Sequence, residues 1–319
     1  MSKLVLFDGN AIMHRAYHAL PPLTARNGEP INAVYGLISM LLKVIQDVKP
    51  THIIFAFDRE EPTFRKEILE SYQSHRPEME EALSGQFKKA AEVIKALGIP
   101  LYDKAGFEAD DVIGTIAHSL SFPRRRESRH NIGIDSGSKA GMTKVLIITG
   151  DRDMLQLVDE ENDIKLYMPL KGLSDAKEFG VAETIERIGV APEQIVDYKA
   201  LVGDPSDNYK GVPGIGPKTA VTLLEEYKTL GNIYKNLDKL PEKLKLKLLE
   251  NKENAYQSQK LAKIVTDVDI DFDLEKAAKW QVNSDKAVKL FEEYGFRTLT
   301  KRIKNVGKAV ATEKQMGLF

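Results

Sequence analysis

Three apolar runs in this chain end abruptly in carboxylates. Leu4 to Phe7 runs into Asp8, Ile53 to Phe57 into Asp58, and Val145 to Thr149 into Gly150, Asp151 and Asp153. Such runs read as buried parallel strands, and acids at their carboxyl ends project into the crevice where open α/β sheets place their ligands. Glu108, Asp110 and Asp111, in Gly-Phe-Glu-Ala-Asp-Asp, and Asp204 and Asp207, in Gly-Asp-Pro-Ser-Asp-Asn, raise the number of such acids to nine. Any one of them alone reads as a turn former or helix cap. Nine aimed at one place would repel one another and resist ionisation unless cations sit among them, and an all-oxygen cage suits Mg²⁺ or Mn²⁺. The pattern predicts a metal-dependent active site.

The second signal is Gly211-Val212-Pro213-Gly214-Ile215-Gly216-Pro217-Lys218-Thr219-Ala220. Gly214 and Gly216 permit a tight backbone path, and Pro217 suits the first turn of a helix. The N–H groups exposed at that helix start can grip a phosphate without reading a base, and Lys218 adds positive charge there. Ile195, Val196, Tyr198 and Leu201 before it, with Val221, Leu223 and Leu224 after it, complete a helix-hairpin-helix suited to the DNA backbone.

The elements that must position these groups follow from hydrophobic period. From residue 1 to about 170 strand and helix alternate, with Val34, Leu37, Ile38, Leu41, Leu42 and Ile45 at helical spacing between the first two runs. This predicts a doubly wound, mainly parallel α/β sheet. From about Val181 short helices dominate, so a helical region is expected over 171–304. The polar stretch 72–87, broken by Pro77, reads as an exposed excursion beside the crevice. The segment 122–142, rich in Arg, Gly and Ser, is too long for an ordinary connection and reads as a disordered insertion.

A hydrophobic content of 42% supports a sizeable core, and no apolar stretch reaches membrane-spanning length. The start of the chain shows no signal-peptide pattern, so a cytoplasmic protein is expected. The absence of cysteine excludes disulfides and thiolate zinc sites, and the six histidines show no ligand spacing. The formal charge of −1 sums unlike regions. Acids gather at the strand ends, while basic residues gather after Met79, from Lys239 to Lys263, and from Lys286 to Lys308, an arrangement that suits a polyanion held over an acidic pit.

Taken together, Leu-Phe-Asp-Gly-Asn, Arg15-Ala-Tyr-His-Ala, Phe57-Asp58, Phe64-Arg65, Gly106-Phe-Glu-Ala-Asp-Asp, Thr149-Gly-Asp-Arg-Asp, Gly203-Asp-Pro-Ser-Asp-Asn and the hairpin resemble the 5′ nuclease (flap endonuclease) family, including the 5′-3′ exonuclease domain of bacterial DNA polymerase I. The resemblance runs to about Ile303 and is interrupted by the insertion. It implies a PIN-like catalytic domain over 1–170, a helical arch over about 72–87, and a helix-hairpin-helix region that holds a potassium ion through backbone carbonyls. It further implies two-metal hydrolysis of DNA phosphodiesters at 5′ ends and 5′ flaps in replication and repair. Carried over by position, Asp8, Asp58, Glu108, Asp110 and Asp111 form one metal group, and Asp151, Asp153, Asp204 and Asp207 the other. Arg65 and Arg76 hold phosphates, Tyr72 stacks on a base, and Gly211, Gly214, Gly216, Lys218 and Thr219 contact the DNA backbone.

One position departs from the family. Where the pattern Tyr-Lys-x-x-Arg supplies a lysine to the scissile phosphate, this chain has Gln73 in Tyr72-Gln-Ser-His-Arg76. A neutral amide donates a hydrogen bond without charge, which leaves open a flap-binding module with weak catalysis. A PIN-type ribonuclease shares the acidic crevice but has no need of the hairpin. The segment 305–319 reads as a flexible tail, and its Gln315-Met-Gly-Leu318-Phe319 resembles the peptide with which bacterial repair enzymes bind the sliding clamp. A monomer is expected, with polymerase activity supplied by another protein.

Overall fold

The computed structural model describes residues 2–121, 142–171 and 175–315. Its strands are β1 (Ser2–Asp8), β2 (His52–Ala56), β3 (Leu101–Tyr102), β4 (Met142–Ile148), β5 (Ile164–Lys171) and β6 (Asp175–Phe179), in one sheet of order β3-β2-β1-β4-β5-β6. Every neighbouring pair is parallel except β5 with β6. The order reverses between β1 and β4, where Phe7 pairs with Ile148. The crevice at the carboxyl ends of these two strands is where such sheets bind ligands.

The period of two along β1 feeds both faces. Val5 and Phe7 enter one core with the helices Gly9–Ala19, Asn32–Val48 and Glu81–Ala96, while Leu4 and Leu6 enter the other with Ala109–Ser121 and the helices after Val181. Phe7 and Phe55 stack with ring centroids 4.4 Å apart, locking β1 to β2 on the first face. Sheet position and order match the expected doubly wound architecture.

Three expectations are corrected. The 72–87 stretch is not wholly an excursion, because a helix begins at Glu81 and buries Leu83 and Gln86. Gln86 Oε1 accepts the Ala33 N–H at 2.8 Å, capping the Asn32–Val48 helix from within the core, a polar burial that hides the helical period. The sheet does not end near 170. Strand β6 extends it to Phe179, and its Asp, Lys and Glu residues suit an edge strand whose outer side faces water. The stretch 305–315 is no loose tail but the end of the Arg297–Gln315 helix, with Val306 only 4% exposed in the first core and Lys49 paired to Glu313 at 2.8 Å.

The helical region is also divided. Residues 181–277 cover one face of the sheet, but Trp280, Phe291, Leu299 and Ile303 return to the opposite face and join Leu37, Leu41 and Ile94. The insertion falls outside the described residues except for Met142, which opens β4. Among the described residues no helix is long and apolar enough to cross a membrane.

Candidate active site

The carboxyl end of β1 and the loop after β4 meet through hydrogen bonds to one residue. Asp8 accepts the Ala11 N–H at 2.9 Å through Oδ1, which caps the Gly9–Ala19 helix, and accepts the Thr149 hydroxyl at 2.6 Å through Oδ2. Thr149 Oγ1 in turn accepts the Asp151 N–H at 2.9 Å. Asp58, just past β2, accepts the Ala109 N–H at 2.7 Å and donates its own N–H to Asn10 Oδ1 at 3.0 Å. These contacts set Asp8, Asp58, Glu108, Asp110 and Asp151 around one crevice. Asp151 lies between the two expected groups, since its charge acts on Asp8 and Asp110 as well as on Asp153.

The second group forms where the Ile195–Val202 helix packs against the short 3-10 turn Asp153–Leu157 that follows β4. One oxygen from each of Asp153, Asp204 and Asp207 lies within 4.8 Å of the others. Lys199 pairs with Asp153 and, at 2.5 Å, with Asp204. Asp207 is gripped by the first residues of the expected arch: Arg76 Nη2 and Gln73 Nε2 donate to its Oδ1 at 2.6 and 3.2 Å, and the Tyr72 hydroxyl to its Oδ2 at 3.3 Å. A cleft of about 640 Å³ beside these groups is lined by Arg15, Asp151, Asp153, Lys199 and Asp204.

Three sequence expectations fail here for the same reason, burial. Asp111, 0% exposed, has both oxygens engaged by Arg65, at 2.7 and 2.9 Å, and also accepts from the Val265 and Glu108 N–H groups. It is not disposed to hold a metal. Arg65 is equally buried and donates to the Leu261 and Lys263 carbonyls at 3.0 and 2.9 Å, so it ties the arch base to the helical region instead of facing a phosphate. Tyr72, 2% exposed, packs with Tyr209, Leu261 and Ala262 and presents no face for a base to stack on.

Burial is the largest influence on the remaining acids. It pushes Asp8 up to about 7 against the hydrogen bonds from Thr149 and Ala11, with repulsion from Asp58 and Asp151 adding to it. Glu108 and Asp153 are also pushed up to about 7, chiefly by burial, and Asp110 is raised by burial and then by the charges of Asp8 and Asp151. Burial raises Asp204 too, but Lys199 and Ser206 outweigh it and hold the carboxyl below its usual range. The Tyr209 hydroxyl, buried beside the second group, has no hydrogen-bond partner among the described residues.

Hard carboxylate oxygens in such a cluster fit Mg²⁺ or Mn²⁺, whose opposed ligands lie about 4.2 Å apart. The expected result is a pH signature. Because Asp8, Glu108 and Asp153 ionise near 7 in the folded chain but in the ordinary carboxylate range of 3.8 to 4.5 when unfolded, the unfolded state releases protons first. Their contribution is fully present below about pH 4 and is lost as pH rises through 7, on the order of a few kcal/mol. Thermal unfolding in chelator should therefore move to lower temperature from pH 5 to pH 8, and Mg²⁺ should reverse most of the drop at pH 8. A metal-free melting temperature that is flat or rising over this range would contradict the assignment.

The hairpin between the Ile195–Val202 and Pro217–Tyr227 helices has the expected path, with Gly211 and Gly214 at φ +60 and +80. Gly211 serves the fold more than the surface, since its N–H donates to Ser258 Oγ at 3.2 Å. Gly216 and Lys218 are exposed, and the N–H groups of Lys218 and Thr219 precede the first helical bond, from Ala220 to Gly216. The potassium ion implied by the resemblance does not fit. Gly214 O accepts from Lys247 Nζ at 2.9 Å, and the Val212 and Gly216 carbonyls accept N–H groups of Ile215 and Ala220. A second cation on Gly214 O, some 4 Å from the ammonium, would be repelled by about 4 kcal/mol.

Lys199, Thr149, Asn10 and Lys247 make contacts at the acids and the hairpin that the sequence reading did not assign. Thr149 stood within a quoted motif, and Lys199 is one helical turn before the Gly203-Asp204 loop, but their partners are set by folding. For the tail, Gln315 ends a helix and Leu318 and Phe319 lie outside the described residues.

Acids that protein cations only partly balance, placed near a glycine hairpin with exposed N–H groups, are the equipment of a metal-dependent nuclease with a PIN-like fold. Comparison with known proteins narrows this class. Residues 3–189 match the 5′-3′ exonuclease N-terminal resolvase-like domain, and residues 190–286 match the 5′-3′ exonuclease C-terminal SAM fold. The chain belongs to the 5′-3′ exonuclease family, which includes flap endonucleases and consists of metal-dependent hydrolases of DNA.

DNA polymerase I of Caldicellulosiruptor bescii is 38% identical over 301 residues, covering 94% of this chain and 33% of that protein. DNA polymerase I of Bacillus subtilis is 36% identical over 302 residues, covering 94% and 32%. The chain thus spans about a third of the length of the curated relatives it matches. Among solved structures, the bacteriophage T5 D15 protein crystallised with metal ions superposes with a TM-score of 0.63 at 21% identity, covering 97% of this chain and 99% of that one. The Rad2 catalytic core in complex with DNA substrate gives 0.56 at 16% identity, covering 96% and 90%.

Proposed function

We propose that this chain hydrolyses DNA phosphodiesters at 5′ ends and at the bases of 5′ flaps, using two Mg²⁺ or Mn²⁺ ions. The observation that carries this is the convergence of Asp8, Asp58, Glu108, Asp110 and Asp151, with Asp153, Asp204 and Asp207, at the switch point of the sheet beside the hairpin. Asp8, Asp58, Glu108, Asp110 and Asp151 would hold one ion and Asp153, Asp204 and Asp207 the other. Bound there, such ions lower the pKa of a water and neutralise charge on the phosphate and leaving oxygen.

The chain's own residues set the frame. Thr149 and the Ala11 N–H fix the Asp8 carboxylate, Lys199 screens Asp153 and Asp204, and Arg76 brings a guanidinium to the crevice rim. The hairpin supplies backbone N–H groups that hold a phosphate without reading sequence. Structural neighbours described as T5 flap endonuclease with DNA and metal ions, and Rad2 with DNA substrate, support this reading. We further read the chain as a monomer and the residues Gln315, Leu318 and Phe319 as a sliding-clamp ligand, on the residue pattern alone.

The deciding experiment is Mg²⁺-dependent cleavage of labelled 5′-flap DNA beside single-stranded RNA. Cleavage of the flap alone supports the proposal. Tight flap binding with little cleavage favours the binding-module alternative, and preference for RNA favours the ribonuclease. The Gln73 position refines this. Its amide shares one oxygen of Asp207 with Arg76 without adding charge. Gln73→Lys is expected to raise the single-turnover rate by roughly 10²-fold, the lower end of what one electrostatic donor contributes. An unchanged or slower rate would mean that Arg76 already fills the role.

A further inference from the structure

We infer that Lys247 is the built-in cation of the hairpin: its ammonium braces the Gly214 carbonyl and faces the DNA phosphate, where a free monovalent cation would otherwise be needed. This rests on the reading that the hairpin grips a DNA backbone. The observations are local to the apex. Lys247 Nζ donates to Gly214 O at 2.9 Å, and the lysine stem lies so close over Gly214 that a Cβ there would sit 2.4 Å from Nζ. Gly214 also has φ +80, a left-handed conformation that favours glycine and keeps the space over its Cα open to the ammonium.

The ammonium is delivered from outside the hairpin, by the Glu242–Glu250 helix. That helix is seated by Leu248, fully buried beside Lys247. Its backbone is held by the Tyr234 hydroxyl, which donates to Leu248 O at 3.1 Å, and by Asn251 Nδ2, which donates to Lys247 O at 2.9 Å. An ammonium has three donors. One serves Gly214, which leaves two to face a phosphate at the exposed edge of the turn. A tethered cation pays no entropy of capture from solution and does not discriminate between salts.

The test is anisotropy of a fluorescent duplex bearing a 5′ flap, with the whole chain in chelator, titrated in KCl and in NaCl at equal ionic strength. The unaltered chain should bind with Kd equal in the two salts within about twofold. Lys247→Ala should weaken binding about tenfold in NaCl and recover at least about threefold in KCl, because the bared carbonyl then accepts potassium. Its slope of log Kd against log salt should fall by about 1, as for loss of one phosphate neighbour. Tighter binding of the unaltered chain in KCl than in NaCl would overturn the inference, and that arm depends on no variant folding. So would a Lys247→Ala variant that is unaffected, or one equally weakened in both salts. Absence of flap binding in either salt would instead overturn the reading of the hairpin itself.

Discussion

Replacing Asp8 by asparagine is expected to reduce cleavage of 5′-flap DNA by roughly 10³-fold or more while leaving flap binding within about tenfold. Losing one preorganised electrostatic group typically costs 10²- to 10³-fold, and Asp8 stands within the first group of acids, close enough to Asp58 and Asp151 to be repelled by both. The fold should survive. Asn Oδ1 can still accept the Ala11 N–H, and the amide can donate to Thr149 Oγ1, so both contacts of 2.9 and 2.6 Å keep a partner. Removing a buried carboxylate also relieves repulsion, so the metal-free variant should melt no lower than the parent chain at pH 8. Single-turnover cleavage and anisotropy on the same substrate separate the two effects. Retention of most turnover would remove Asp8 from the metal group, whereas parallel loss of binding and melting temperature would make its role structural.

The second large effect is expected at Arg65. Its guanidinium makes two bonds to Asp111, two to the carbonyls of Leu261 and Lys263, and an ion pair with Glu108 at 3.2 Å. Arg65→Met would leave Asp111 buried without its counter-ion, a change that costs about 3 to 5 kcal/mol. Denaturant unfolding measures this directly. Adding Asp111→Asn should restore a substantial part of the loss, because the neutral amide no longer needs a cation; the double-mutant cycle gives the coupling. If Arg65→Met instead unfolds within 1 kcal/mol of the parent but loses affinity for flap DNA with a reduced salt slope, then Arg65 is a phosphate ligand after all.

The contrast between these two residues shows what a linear sequence can display. Asp8 is legible because the cause of its position is local: an apolar run makes a buried strand, and the acid that ends it must stand at the sheet's edge. The same holds for Asp58 and Asp151, and for Gly211 to Thr219, where glycine, proline and lysine specify a turn and a helix start within a few residues. Arg65 and Asp111 are 46 residues apart, and nothing near either indicates that they pair. Lys199 meets Asp153 only once the Ile195–Val202 helix has docked on the Asp153–Leu157 turn. Tyr72 resembles an exposed aromatic in a polar stretch, yet its ring is covered by Tyr209 and Leu261, contributed from far along the chain. Strand β6 is hidden by its charges, which are tolerated because one side of it remains unpaired.

The return of Trp280, Phe291, Leu299 and Ile303 to the face first built by Leu37 and Leu41 sets an order of events at the ribosome. The Asn32–Val48 helix leaves the exit tunnel about 250 residues before Leu299 can cover it, which at ordinary elongation rates is roughly 10 to 50 s. Throughout that interval the early helices cover the sheet but keep their own outer apolar side bare, although the crevice at the carboxyl ends of the strands is already being assembled. Closure then depends on contacts of very long sequence separation, among them the Gln281 N–H donating to Leu97 O at 2.8 Å, and such contacts form slowly. These later helices are thus the latch of the first core, and until they arrive the half-made chain presents its oily flank to every chaperone and neighbouring polypeptide it meets.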